Sequence, residues 1–239
     1  TSINTSSWSS HSLYMAKAAE NLAKKLGMNA IKAKTLGVLH DYGRKFTHDF
    51  FHVIRGFGAL CDEWWETEAR ATLTHSFIYA GRCANCDPAE DGFYINSGGK
   101  PSWEDGTKVD DITEVLENMQ YDDYDMILNI ADLIATDKGI TSPYARVEDI
   151  AKRKVPDPKN RYYFLSEFTN KLIYVMKKGT NGRYNKENVN PLMKPEDVVS
   201  AFKKVSSDFQ YFYEIKENES MKSNDKIIEI KYEYNRARR

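Results

Sequence analysis

Five histidines occur in the 239-residue chain, and four of them fall into one order with two aspartates: His11, then His40-Asp41, then His52, His75 and Asp132. Neutral imidazole and carboxylate together bind borderline and hard divalent metals, so the set is a candidate metal centre. The adjacent pair His40-Asp41 is the informative part. Neighbours on a helix point about 100° apart, so two adjacent side chains reach one ion only where a helix ends or a cavity opens. The run Asp41-Tyr42-Gly43-Arg44 supplies such an end, with Gly43 expected in the left-handed conformation that closes helices. Alone, a His-Asp dipeptide also fits a chance surface cap. Its context argues for more. Thr35-Leu36-Gly37-Val38-Leu39 places the pair at the end of an apolar helix, and His11 opens an amphipathic one continued by Met15, Ala19, Leu22 and Leu26. An inward histidine costs free energy unless its polar atoms are bonded, by a hydrogen bond or by a metal.

This order of residues resembles the HD superfamily of metal-dependent phosphohydrolases. The stretches Leu39 to Phe46, His52 to Phe57 and Leu73 to Phe77 look like those of small HDIG-type proteins, with Tyr42 where that name implies isoleucine. The resemblance covers roughly residues 8 to 150. It implies a first ion held by His11, His40, Asp41 and Asp132, with positions open to water. In the extended branch His52 and His75 add a second ion, with Asp41 as the natural bridge because a carboxylate has two oxygens. Two ions about 3.5–4 Å apart hold a hydroxide nucleophile and neutralise phosphoryl oxygens together. Arg44 is read as a phosphate-binding guanidinium, against the alternative of a cation at a helix end. His48, Arg55 and Lys138 are read as surface residues.

The elements that must position these residues read as helices. Residues 8–26 form one, with Ser9 or Ser10 as N-cap and Gly27 as stop. Asn29 caps the next, to about Asp41; a third runs from near His48 to about Glu63, and a fourth over 64–79 carries His75. From Gly81 to Asp110 turn signals dominate, and a loop that long next to His75 is placed to cover a pocket. Periodicity resumes at 121–135, with Tyr124, Leu128, Asp132 and Ala135 on one stripe. The acidic run Asp122-Asp123-Tyr124-Asp125 is read as a helix N-terminus rather than a calcium loop. Two more helices are expected over 162–178 and from Pro195 to about 215, with a turn at 179–182. Residues 228–234 alternate apolar and charged, as either a single strand able to pair with a second subunit or a frayed helix, and 235–239 read as disordered. Trp64-Trp65 and Tyr162-Tyr163-Phe164 are read as packing residues.

Composition sets the class. Hydrophobic residues are 41% and charged residues 29%, with a net charge of −1, an ordinary globular balance. The absence of a basic excess argues against nucleic-acid binding, and no apolar run approaches a membrane span. A cytoplasmic location is the expectation. Cys61, Cys83 and Cys86 give no disulfide framework and only half of a zinc spacing, so they are read as reduced thiols. The expected protein is therefore all-α: an HD-type bundle over residues 1–150 with a helical C-terminal extension over 151–239. The expected activity is hydrolysis of a small phosphorylated metabolite, a nucleotide or dinucleotide, using one or two divalent ions (Fe, Mn, Zn, Co, Ni or Mg). A mixed-valence di-iron oxygenase, which uses the same ligand order, and a non-catalytic nucleotide sensor, a class that usually loses ligands, are the rivals.

Overall fold

The structure, a computed structural model, describes residues 7–47, 52–79, 82–83, 119–153, 158–190 and 193–213. Its elements in chain order are α1 (Ser7–Lys25), α2 (Ala30–Leu39), a 3-10 turn (Tyr42–Lys45), α3 (His52–Asp62), α4 (Glu66–Thr74), β1 (Phe77–Tyr79), β2 (Arg82–Cys83), α5 (Asp123–Ile134), α6 (Pro143–Arg153), α7 (Pro158–Gly179) and α8 (Pro195–Phe212). The fold is the all-α bundle expected, and β1 pairs with β2 in a short antiparallel hairpin. Among the described residues no helix is long and apolar enough to cross a membrane.

Local sequence explains most boundaries. Gly27 takes φ 67°, and the amides of Gly27 and Met28 donate to the carbonyls of Lys24 and Ala23, closing α1 where glycine pays no Cβ penalty. The Asn29 side chain accepts from the Lys32 amide and opens α2. Asp122 and Asp125 form a reciprocal capping box that starts α5, so the acidic run is a helix N-terminus. Pro195 stands in the first turn of α8.

Four expectations need correction. Helix α1 begins at Ser7, which puts Ser9 and Ser10 inside it rather than at its cap. The helix expected over 64–79 is α4 alone: Trp64 takes φ 63° in the turn that ends α3, and the chain leaves the helix at His75 for β1. Trp64 is also 82% exposed, so of the tryptophan pair only Trp65 packs, beside Leu39, Leu60 and Ala69. Helix α6 was not foreseen, although Pro143 starts it and the Ser142 hydroxyl accepts from the Ala145 amide. His48, Cys86, the loop over residues 84–110 and the tail over 228–239 lie outside the described residues.

One continuous core joins the two halves of the chain. It runs from Met15, Leu22 and Leu36 through Ile127 and Leu128 to Leu172, Phe202 and Phe209. The Tyr213 hydroxyl donates to the Ala18 carbonyl, tying the end of α8 to the middle of α1. At 0–4% exposure these side chains supply most of the driving force for packing, so α1, α2 and α5 are held rigidly from behind. Helices α1 and α2 approach closely because residue 37 is glycine: a Cβ there would stand 2.7 Å from the Ala16 Cα.

Candidate metal centre

The six predicted side chains come from five places in this frame. His11 lies on α1, His40 caps the C-terminus of α2, Asp41 follows it outside the helix at φ −100°, His52 is the first residue of α3, His75 caps α4, and Asp132 lies on α5. His40 and Asp41 thus straddle a helix end, which lets neighbours converge. The glycine after them works differently from the expectation. Gly43 has no left-handed φ; it sits in the 3-10 turn, where a Cβ would fall 1.7 Å from the His52 carbonyl oxygen and 2.6 Å from the Gly56 amide nitrogen. Gly56 likewise faces the Gly43 backbone, where an added Cβ would stand 2.9 Å from the Gly43 amide nitrogen. The two glycines let the turn beside Asp41 lie directly on α3, which brings His52 to the carboxylate.

Two sets of ligand atoms each lie within 4.8 Å of one another, His11 with His40 and Asp132, and His40 with Asp41 and His75; His52 belongs to neither and reaches the site through Asp41. His11 Nε2 is 2.9 Å from Asp132 Oδ1 and 3.2 Å from His40 Nε2, and His40 Nε2 is 3.9 Å from Asp132 Oδ1. Asp41 connects this group to the other: its Oδ2 is 3.6 Å from His40 Nε2, while its Oδ1 is 2.9 Å from His52 Nε2 and 3.7 Å from His75 Nε2. Donors about 2.0–2.2 Å from a common ion stand roughly 3.0–3.5 Å apart when adjacent. The observed separations of 2.9–3.9 Å bracket that spacing. Asp41 Oδ1 is buried with His52 Nε2 as its near polar neighbour, at 2.9 Å, and a carboxylate taken out of water in this way is stabilised by a cation.

The imidazoles are oriented from behind. His40 Nδ1 donates to the Gly37 carbonyl at 2.7 Å and His75 Nδ1 to the Ala71 carbonyl at 3.1 Å. Each bond fixes the tautomer and leaves Nε2 with its lone pair free of a proton. Burial lowers the pKa of His40, and burial together with the neighbouring His40 lowers that of His75 to about 3, so both rings are neutral near pH 7. Burial works to raise the Asp41 and Asp132 carboxyls, but facing imidazoles, joined at Asp41 by Arg44, outweigh it and hold both well below the usual range. Neutral nitrogens beside ionised carboxylates are the protonation states a metal requires.

Arg44 donates from Nε to Asp41 Oδ2 at 2.6 Å. Its side chain is 29% exposed, beside 32% for Asp132 and 14% for His11, whereas His40, Asp41, His52 and His75 are 1–4% exposed. The open face is therefore bounded by His11, Asp132 and Arg44.

Two supporting residues escaped the sequence reading. Asn129, buried on α5, donates from Nδ2 to the carbonyls of Thr74 and His75 at 2.7 and 3.1 Å, fixing the end of α4 to the helix that carries Asp132. Its signal was a polar residue inside the apolar run Ile127-Leu128-Asn129-Ile130. The Ser76 hydroxyl lies 2.9 Å from His75 Nε2; nothing in its sequence context marks it.

A family model described as HD domain matches residues 8–137. No curated protein and no solved structure matches the chain. The family model spans more than half of the chain, and the chain belongs to the HD-domain family, whose members are generally metal-dependent phosphohydrolases.

Proposed function

We propose that this chain hydrolyses a small phosphorylated metabolite, of the nucleotide or dinucleotide class, at a centre of two adjoining divalent ions. The observation that carries the reading is Asp41, a buried carboxylate whose two oxygens face different groups, Oδ2 toward His40 and Oδ1 toward His52 and His75. His11, His40, Asp132 and Asp41 Oδ2 would hold one ion, and His52, His75 and Asp41 Oδ1 the other. Bound ions supply Lewis acidity to a phosphoryl oxygen and acidify water. The mixed nitrogen and oxygen donors suit manganese, iron, cobalt, nickel or zinc better than magnesium, which prefers oxygen.

The chain's own side chains do the rest. His40 and His75 present fixed lone pairs, so binding needs no ring reorientation. Arg44 partly neutralises Asp41 and brings positive charge to the open face, where an anionic phosphate approaches. The nucleotide class follows the family resemblance, and Arg44 favours phosphate over an uncharged substrate. Phosphate release from a panel of nucleotides, cyclic dinucleotides and simple phosphate esters, with each of manganese, iron, cobalt and nickel, tests this. Turnover of at least one member that disappears in Asp41→Ala is expected. Oxygen consumption by the iron-loaded protein without phosphate release would overturn it in favour of an oxygenase.

A further inference from the structure

His75 Nε2 has one lone pair, and in the structure it is already engaged. Its Nδ1 donates to the Ala71 carbonyl, so Nε2 can only accept, and the Ser76 hydroxyl is positioned to donate to it at 2.9 Å. His40 Nε2 differs in what meets it: its hydrogen-bond neighbour at 3.2 Å, His11 Nε2, is itself a ligand atom, and the Asp41 and Asp132 oxygens lie beyond. An ion at the first group therefore meets donors turned toward one another. An ion at His75 must first take the lone pair from a hydroxyl on the adjacent residue.

We infer that Ser76 is a positioning residue that sets the affinity of the second ion, by competing with it for His75 Nε2. This rests on the two-ion reading above. Serine suits the role because its hydroxyl holds the ring oriented before the ion arrives, and its short side chain then turns to water without moving the backbone. The two ions would consequently load in order, the His11 group first and the His75 group at higher metal concentration.

The test is titration of the full chain, stripped of metal under anaerobic conditions, with Mn²⁺ followed by calorimetry and electron paramagnetic resonance. Ser76→Ala should bind the second Mn²⁺ about fivefold more tightly, the fold-change of one net hydrogen bond, with the first ion unchanged. Ser76→Thr, which keeps the hydroxyl, should match the wild type. Melting of the stripped protein should fall slightly in Ser76→Ala, and that of the loaded protein should not. Unchanged or weaker second-ion binding in Ser76→Ala overturns the inference. His75→Ala separates the two claims. Loss of the second ion in His75→Ala, without tightening in Ser76→Ala, removes only the role of Ser76. A single ion in the wild type, bound equally by His75→Ala, removes the two-ion reading and this inference with it.

Discussion

Gly43→Ala probes the contact that brings Asp41 and His52 together. The added Cβ would lie 1.7 Å from the His52 carbonyl oxygen and 2.6 Å from the Gly56 amide nitrogen, both backbone atoms that no rotamer change can clear. Restoring even a tight contact requires the turn and the start of α3 to separate by about 1.3 Å. His52 is the first residue of α3, so its Nε2, now 2.9 Å from Asp41 Oδ1, would move to roughly 4 Å, too far for a shared ion with ligand distances near 2.1 Å. Overpacking of this kind costs about 1–3 kcal/mol. A clash against backbone belongs at the upper end, which for a chain of this size lowers the melting temperature by roughly 6–12 °C. Gly58→Ala is the control: it lies on the same helix with nothing within 4 Å of its Cβ, and should be neutral or stabilising by up to about 1 kcal/mol. Melting curves and bound-metal analysis of both variants decide the matter. If Gly43→Ala melts with the wild type and keeps the same metal content, the close approach does not build the site.

Three further outcomes follow from the same geometry. Asp41→Ala should lose nearly all bound metal and activity, whereas His75→Ala should lose mainly one ion, as elemental analysis would show; full metal content in Asp41→Ala would refute the bridging role. Asn129→Ala leaves the buried carbonyls of Thr74 and His75 without their donor, and should cost about 1–3 kcal/mol in denaturant unfolding while weakening metal binding at His75. Lys171 sits buried beside Tyr121, Glu167 and Asp125, and burial lowers its pKa to about 8 from 10.5. Between those values the unfolded chain binds the proton more tightly, so this group makes stability rise with pH, by roughly 2–3 kcal/mol across the window. Measured between pH 8 and 10, below the range where the buried tyrosines oppose it, Lys171→Met should flatten the rise; an unchanged slope would show that Lys171 is not the source.

What was legible in the sequence divides along a physical line. Periodicity and caps are local, so α2, α5 and α8 could be read from Asn29, from Asp122 with Asp125, and from Pro195. The type and order of His11, His40, Asp41, His52, His75 and Asp132 were equally visible, and the structure brings five of them into two sets of possible ligand atoms, with His52 beside Asp41. Contacts between distant segments were not visible. Gly43 looked like a left-handed helix stop because that is the commonest local use of glycine after a helix; its partner in space, the backbone of His52 and Gly56, has no local signature. The end of α4 was missed for the same reason. Residues 64–79 read as one helix until Asn129, 55 positions after Thr74, supplies the donor that satisfies its last carbonyls. The residues that carry the chemistry announce themselves by type, since only a few side chains bind metals. The residues that hold them at the right separation are a pair of glycines, an asparagine and a serine, common side chains whose role exists only once the helices are packed.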